Sequence, residues 1–265
     1  MGLTVTAALL GASCSTAPQP GAGVRSRGPA RIQLGLVGRH ARQFDQELAR
    51  REAGSQEEGA AAAYILGHLQ RAGFVVRLVG VPVANTVSSI DVMGLPSGGG
   101  DPAAVVAVPY DSAPGASNGN GAAIGVFLEL ARALNAARPG HDVELVALGA
   151  ENAPVGGGHL GSRRLARLLV DSQQRPVVIT IENLGGRLRG RFGASGSGIS
   201  RLTSVAAGLG IPVTRLPAPP RQEGAGLAER HRIFTAAGLE HIAVAGGVGE
   251  VGRVLLEYLT ARPSS

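Results

Sequence analysis

Acidic residues stand at the ends of buried apolar runs in this sequence. Asp111, Glu151 and Glu182 each come at, or just after, the point where such a run stops. In α/β proteins the loops after the carboxyl ends of strands hold ligands and catalytic groups, because two rigid elements fix each loop. Carboxylates in such loops serve as metal ligands or as general bases. These three residues are therefore the first candidates for chemistry.

The elements that would position these side chains alternate along the chain. Residues 103–134 read as a buried strand, a glycine-rich loop and an amphipathic helix. Strands are also predicted at residues 74–82, 86–95, 143–150, 177–181, 212–216 and 241–245, and helices at 44–73 (in two pieces), 199–209 and 250–261. Alternating strands and helices with short loops predict a mostly parallel sheet that is covered by helices on both faces.

A helix start is marked within residues 44–73. Ser55 and Glu58 form the S-x-x-E pattern of a capping box, ahead of apolar residues at helical spacing. Gly73 suits the left-handed residue that ends a helix. The pattern therefore predicts a helix between these positions.

Several short motifs follow the order of one known family. The chain reads Val-Pro-Tyr-Asp-Ser at 108–112, Ser-Asn-Gly-Asn-Gly at 117–121, Leu-Glu-Leu-Ala-Arg at 128–132 and Gly-Ala-Glu-Asn at 149–152. These motifs resemble those of zinc-dependent aminopeptidases related to bacterial leucyl aminopeptidase and aminopeptidase S, a family that also includes glutaminyl cyclases. The resemblance covers most of the chain. It implies an α/β fold of the zinc exopeptidase type, a three-layer α/β/α sandwich around a mixed, mostly parallel sheet.

The resemblance also implies which residues descend from a zinc site. Members of the family bind two zinc ions about 3.5 Å apart, which polarise the scissile carbonyl and activate a bridging water. The general base falls on Glu151, and two remnant ligand positions fall on Glu182 and His231. The other ligand positions are degenerate, because they fall on Pro109, Gly119 and Asn152. Asp111 matches the aspartate that orients the lost first histidine.

The surviving residues do not complete a zinc site. In the family, the positions of Glu182 and His231 serve different metals, whereas catalytic zinc normally has three protein ligands. The resemblance therefore implies a catalytically degenerate aminopeptidase, or pseudoenzyme, whose loops keep a pocket for a peptide or a partner protein. No cofactor is expected, and zinc is expected only if the chain is active.

Two catalytic alternatives stay open. An active metallo-aminopeptidase would need rearranged ligands, drawn from Glu151, Glu182, His231 and His159. A serine hydrolase would use Ser117, which fits G-x-S-x-G and precedes Glu182 and His231 in the order of an α/β-hydrolase triad. A nucleophile elbow follows its strand directly, however, and Ser117 comes several residues after the strand.

The same residues also have purely structural interpretations. Glu151 suits a loop or helix-cap carboxylate, His231 a structural or solvated histidine, and Glu182 an ion pair with a nearby arginine such as Arg187 or Arg230. The remaining histidines carry no ligand spacing, are predicted to lie on surfaces and receive no role: His40, His68, His141 and His241.

Composition argues against a nucleic-acid partner. The chain of 265 residues has a formal net charge of +6, and its basic residues are all arginine. These arginines are scattered and lack interleaved aromatic residues, whereas nucleic-acid sites cluster basic side chains and stack bases on aromatics. No nucleic-acid binding is expected.

The N-terminus predicts export. Residues 1–14 hold a short apolar run that ends in small residues and in Cys14, the only cysteine, and they resemble a bacterial lipoprotein signal without its basic start. Residues 15–28 are rich in Ser, Pro, Gly and Ala and are expected to form a flexible tether. We therefore expect a membrane-anchored lipoprotein of the cell envelope, with Cys14 lipidated and an aminopeptidase-like domain at 29–265.

Overall fold

A single mixed sheet organises the part of the chain that can be described. The structure is a computed structural model, and it describes residues 30–84, 86–116, 119–140, 142–184, 192–196, 199–216 and 226–261. The predicted signal and tether, including Cys14, lie outside these residues, as do Ser117, His141 and Arg187.

The sheet is flanked by helices that follow most of its strands. Its strands are β1 (Val75–Ala84), β2 (Val87–Leu95), β3 (Ala104–Pro109), β4 (Val143–Leu148), β5 (Val177–Leu184), β6 (Phe192–Gly196), β7 (Val213–Arg215) and β8 (His241–Gly246). The helices are α1 (Leu34–Arg42, continued by a π-helical turn at Gln43–Glu47), α2 (Gln56–Arg71), α3 (Gly121–Ala137), α4 (Leu160–Asp171), α5 (Ile199–Gly208), α6 (Gly226–Ala236) and α7 (Val248–Thr260).

The sheet is mixed, with a parallel centre. Within the described residues the strand order is β1-β2-β4-β3-β5-β8-β6-β7. The four central strands β4, β3, β5 and β8 run parallel to one another, while β2 and β6 pair antiparallel at the two sides of this group. Because parallel strands end at the same edge, the loops after β3, β4 and β5 meet there.

Helices cover both faces of the sheet. Alternate residues of β3 divide between two apolar clusters: Val106 and Val108 pack in the larger cluster, while Val105 and Ala107 pack in the smaller one. The larger cluster is covered by α1, α2, α3, α5 and α7, and the smaller by α4 and α6. The predicted three-layer α/β/α sandwich is therefore confirmed.

The central helix α3 packs closely against α1. A Cβ added at Gly125 would lie 2.6 Å from the Val37 carbonyl oxygen, so only glycine allows this approach. At the start of α3 the Gly121 amide donates to the Asp45 carboxylate at 3.1 Å. Arg138, at φ 51°, ends the helix in the left-handed region. The loop before α3 is thus held between a buried strand and a fully packed helix.

Three elements differ from the sequence predictions. The first helix begins at Leu34 rather than near residue 44, and neither β6 nor α6 is predicted from the sequence. His40 and His241 are buried, so their predicted surface positions are wrong. Among the described helices, none combines the length and the apolar character needed to cross a bilayer.

Candidate functional site

The candidate site lies at the carboxyl ends of β4 and β5. Glu151 is in the loop after β4, Glu182 is near the end of β5, and Arg230 is on α6. Helix α6 packs beside α4 on the same face of the sheet. This packing lets Arg230 reach both carboxylates, although 79 residues separate it from Glu151 and 48 from Glu182.

Glu151 is fully buried and accepts hydrogen bonds from three groups. The Ser162 amide, in the first turn of α4, donates to its Oε1 at 2.7 Å. His159 Nδ1 and Arg230 Nη1 both donate to its Oε2, each at 3.1 Å. His159 itself sits in the left-handed region, at φ 54°, directly before α4. Glu151 therefore satisfies a free amide at a helix start, as the structural interpretation of its position expects.

The environment of Glu151 keeps it ionised. Burial alone would raise its pKa, but the hydrogen bond from His159, the charge of Arg230 and the Ser162 amide together lower the pKa below its ordinary value. A general base works best when its pKa is near the operating pH and when it can reach the proton that it removes. In this arrangement Glu151 is ionised and fully buried.

Arg230 lies between the two carboxylates. Its Nε donates to Glu182 Oε1 at 3.2 Å, and its Nη2 donates to Glu182 Oε2 in a short contact. Its Nη1 donates to Glu151. Burial lowers the pKa of the guanidinium, but Glu182 and Glu151 raise it by a larger amount. The pKa of Arg230 therefore lies above its ordinary value. The guanidinium is thus a buried cation held by two anions. Of the partners that the sequence suggested for Glu182, the structure shows Arg230.

His231 does not contact Glu151, Glu182 or Arg230 in a described hydrogen bond. It is connected to Glu182 through His241 and Thr180. Thr180 Oγ1 donates to Glu182 Oε1 at 2.8 Å and lies 3.1 Å from His241 Nε2. Since the Thr180 hydroxyl proton goes to Glu182, the Thr180 oxygen accepts from His241 Nε2. The other ring nitrogen of His241, Nδ1, then accepts from His231 Nδ1 at 3.0 Å. Burial, followed by the charges of His231 and Arg230, lowers the pKa of His241 to about 3. Burial also lowers the pKa of His231, which agrees with a neutral relay.

Asn152 is turned toward Asp111. Its amide donates to Asp111 Oδ2 at 2.8 Å, and its side-chain Nδ2 lies 3.2 Å from both Oδ1 and the carbonyl oxygen of Asp111. Burial raises the pKa of Asp111 to about 7 against the opposing effect of the Asn152 amide, and the nearby Glu151 and Glu58 raise it further. Asp111 therefore ties the loop after β3 to the loop after β4.

The two other degenerate positions differ in the space around them. Pro109 offers no side-chain donor or acceptor, and its carbonyl oxygen accepts from Asn120 Nδ2 at 2.8 Å. Gly119 is exposed, and a Cβ added there would meet no atom within 4 Å. An aspartate would fit at Gly119, so sterics alone do not require glycine there.

A second buried cation, Arg51, lies beneath the loop after β3. It is fully buried, and its guanidinium donates to the carbonyl oxygen of Tyr110 at 2.5 Å, to that of Phe44 at 2.6 Å and to Asn120 Oδ1 at 2.6 Å. A short contact to the Leu48 carbonyl completes the set. No sequence signal marks this residue, because its partners come from separate parts of the chain.

Replacing Asp111 with asparagine is expected to change the pH dependence of stability. The folded pKa is about 7, against an ordinary value of 3.8, so the folded state binds the proton more tightly. Wild-type stability, measured relative to Asp111→Asn, should therefore increase as pH falls from about 7 to about 5, by about 1 kcal/mol per pH unit. Urea unfolding of both proteins at several pH values measures this difference. A difference that is constant across the range would contradict the shifted pKa.

The residues of the site do not fit zinc as they stand. Among the described residues, no group of three or more His, Cys, Asp or Glu side chains is placed to hold a metal ion. Glu151 and Glu182 are paired with Arg230, and Asn152 is bonded to Asp111. Structural and catalytic zinc sites use three or four N, O or S ligands at about 2.0–2.3 Å. The Arg230 guanidinium lies between the Glu151 and Glu182 carboxylates.

Comparison with known proteins identifies a family for this fold. A family model described as peptidase family M28 matches residues 95–249, which is more than half of the chain. No curated protein sequence matches the chain.

Three solved structures match the fold over nearly the whole of their chains. A leucine aminopeptidase precursor from Bacteroides thetaiotaomicron is 14% identical, with a TM-score of 0.72, and the match covers 88% of this chain and 98% of that one. A glutaminyl cyclase from the same organism, bound to N-acetylhistamine, is also 14% identical, with a TM-score of 0.72 and coverage of 88% and 99%. A Zn-dependent exopeptidase from Parabacteroides distasonis is 14% identical, with a TM-score of 0.71 and coverage of 88% and 99%. At this identity the likeness shows the fold.

Proposed function

Because this chain belongs to peptidase family M28, we propose that it is a catalytically degenerate member that binds a peptide or a partner protein without hydrolysing it. The observation that carries this proposal is the Arg230 guanidinium between Glu151 and Glu182. The guanidinium is a permanent positive charge in contact with both Glu182, which the family resemblance aligns with a metal ligand, and Glu151, which it aligns with the general base. A cation already paired with both carboxylates opposes the entry of Zn²⁺ by electrostatic repulsion and by occupying their oxygens.

The state of Glu151 supports the loss of hydrolysis. Three of the roughly four acceptor sites of its carboxylate are taken by Ser162, His159 and Arg230, and its side chain is fully buried. A base that activates water needs a free lone pair within about 3 Å of that water. Glu151 acts here as an internal anion that stabilises the start of α4 and the Arg230 side chain.

The proposal includes an exported location. Cys14 would be lipidated and residues 15–28 would tether the domain to the membrane, as the signal-like segment at residues 1–14 suggests. Palmitate labelling of the chain in a bacterial host, compared with Cys14→Ser, tests this part. Equal labelling of the two proteins would contradict it.

One observation favours an active metallopeptidase as the second candidate. His159 Nδ1 lies 3.1 Å from Glu151 Oε2 and 3.5 Å from Arg230 Nη1, so one imidazole and two carboxylates surround the same guanidinium. As placed, Glu151, Glu182 and His159 do not form a metal-holding group. If Arg230 moved away and the three side chains turned toward one another, they would offer N and O ligands of the kind that zinc accepts. The position of Arg230 therefore separates the two candidates.

Metal content and turnover test the proposal. The full-length chain with Cys14→Ser, dialysed against zinc and then against buffer, should retain less than about 0.1 zinc per chain, because a site of one or two ligands is too weak. It should also release no nitroaniline from aminoacyl-nitroanilides with added zinc or cobalt, while calorimetry against a panel of synthetic tripeptides should detect binding. One or two retained zinc ions with turnover would establish the second candidate. Fluorophosphonate labelling of Ser117 would instead favour a serine hydrolase.

A rebuilt site tests the role of Arg230 directly. Restoring the lost ligands with Pro109→His, Gly119→Asp and Asn152→Glu is expected to give tight zinc binding only when Arg230→Ala is added. The matched control is the triple variant that keeps Arg230. Zinc retention after gel filtration measures the difference, and equal retention by the two variants would show that Arg230 does not oppose the metal.

A further inference from the structure

A cleft separate from this site lies between α1 with its π-helical turn, α2 and α3. Its volume is about 760 Å³, within the range of small-molecule sites. None of its lining residues belongs to the cluster around Arg230. Its walls carry four arginines, Arg39, Arg42, Arg71 and Arg132, against the two acidic residues Glu47 and Glu129. Positively charged side chains therefore outnumber negatively charged ones in the walls of the cleft.

Three of these arginines are available to a ligand. Glu129 pairs with Arg132 at 2.9 Å. Arg39, Arg42 and Arg71 are exposed, and no carboxylate within the described part of the chain forms an ion pair with them. Arg39 and Arg42 are three residues apart and so project from the same face of α1.

The floor of the cleft is neutral and offers hydrogen-bond donors. His40 is buried, and its Nδ1 lies 2.9 Å from the Tyr64 hydroxyl, the sole partner of this ring among described hydrogen bonds. The His68 ring packs at 4.6 Å from His40 and 4.5 Å from Tyr64, between ring centroids. Burial, with His40 and Arg71 adding to it, lowers the pKa of His68 to about 4. Neutral imidazoles can donate without adding a charge that a ligand must match.

We propose that this cleft binds the phosphate group of a larger molecule. Guanidinium forks match the oxygens of phosphate, and several arginines can share one phosphate group. The volume exceeds what inorganic phosphate would fill, so the ligand carries further atoms that pack on Tyr64 and His68. The source is either a soluble phosphomonoester or a phospholipid headgroup.

The position of the cleft makes a lipid source testable. Arg132 Nη2 donates to the Arg31 carbonyl oxygen at 2.5 Å, so the cleft adjoins the point where the described chain begins. Fifteen residues separate Cys14 from Ala30, and a chain of that length spans at most about 55 Å. A lipid anchor at Cys14 would therefore hold the cleft within reach of headgroups.

Binding is tested with the full-length chain carrying Cys14→Ser, so that no lipid anchor contributes. The probes are glycerol 3-phosphate, with glycerol as the uncharged control, and phosphatidylcholine vesicles with and without phosphatidylglycerol, all at physiological salt to screen weak attraction. The test variant is Arg39→Gln, Arg42→Gln and Arg71→Gln. The control variant removes the same charge at exposed arginines elsewhere, Arg167→Gln, Arg215→Gln and Arg253→Gln. Thermal unfolding checks that all proteins are folded.

The proposal predicts that the test variant binds at least about tenfold more weakly than wild type, since it loses charged hydrogen bonds. The control variant should stay within about twofold of wild type, because distant exposed charges contribute little to a defined site. Binding of glycerol 3-phosphate but not of vesicles identifies a soluble source. Binding of vesicles identifies a headgroup, and this binding should be stronger with phosphatidylglycerol, because phosphatidylcholine carries a choline cation beside its phosphate. Equal losses in both variants, or no binding of either probe to wild type, would overturn the proposal.

Discussion

Replacing Arg230 with alanine is expected to destabilise the protein by about 3–5 kcal/mol, because it leaves two buried carboxylates without their shared cation. Glu151 is fully buried and Glu182 is 10% exposed, so bulk water solvates neither carboxylate well. Urea unfolding at pH 8 measures the loss. The loss should be smaller at pH 5, because without Arg230 the pKa of Glu151 rises and protonation then relieves the unpaired charge.

Two further variants separate this effect from a general loss of charge. Arg232→Ala removes an arginine of the same helix, whose side chain is 59% exposed and pairs with Glu229, and it should cost less than about 1 kcal/mol. Adding Glu182→Gln to Arg230→Ala should recover part of the stability, since one unpaired anion disappears. If Arg230→Ala cost no more than Arg232→Ala, the guanidinium would not be the internal counter-ion of the site.

Replacing Arg51 with methionine is expected to cost about 4 kcal/mol. The change keeps an apolar side chain of similar length, but it leaves the carbonyl oxygens of Phe44, Leu48 and Tyr110 and the Asn120 side chain without their donor. Each unsatisfied buried acceptor costs about 1–3 kcal/mol, and local relaxation keeps the total below the sum. Unfolding in urea, followed by circular dichroism, measures the effect.

The neighbouring arginine provides the control for Arg51. Arg50→Met alters an exposed side chain and should stay within about 0.5 kcal/mol of wild type. Arg51→Lys should lose about 2 kcal/mol, because an ammonium keeps the charge but cannot reproduce the planar fork. A loss in Arg51→Lys as large as in Arg51→Met would show that fork geometry, rather than charge, carries the whole contribution. A loss in Arg51→Met no larger than in Arg50→Met would contradict the prediction.

The fold was largely predictable, because its central strands are continuous apolar runs between clear stop signals. Ser55 caps α2 as predicted, accepting from the Glu58 amide at 3.0 Å. The Glu58 side chain, however, does not close the capping box on Ser55: it accepts from the Gly54 amide and from the Ser89 hydroxyl. Tertiary burial of Glu58 therefore overrode the local pattern.

The missed elements lack local signals. Strand β6 reads Phe-Gly-Ala-Ser-Gly, and glycine weakens strand propensity, so its pairing with β8 defines it. Helix α1 begins with the exposed Leu34 and contains Gly35 and Gly38, and its packing against α3 stabilises it. Such elements depend on contacts that a linear pattern does not show.

The residues of the site were predictable from the sequence, but most of the contacts between them were not. Sequence placed Glu151 and Glu182 after buried strands and named Arg230 as one possible partner of Glu182. It did not predict that Arg230 also reaches Glu151, because that contact requires α6 to pack beside α4. The His231 and His241 contact was likewise missed, since it joins a helix to the start of a buried strand.

The cation between Glu151 and Glu182 is a side chain and therefore a covalent part of the protein. A bound metal stabilises a folded protein by mass action, so its contribution falls as free metal becomes scarce. The Arg230 guanidinium has no dissociation equilibrium of that kind, and its local concentration is fixed by the fold. The melting temperature should therefore be insensitive to chelators and to the zinc concentration of the surroundings. The stability of this region would then not depend on the supply of a metal.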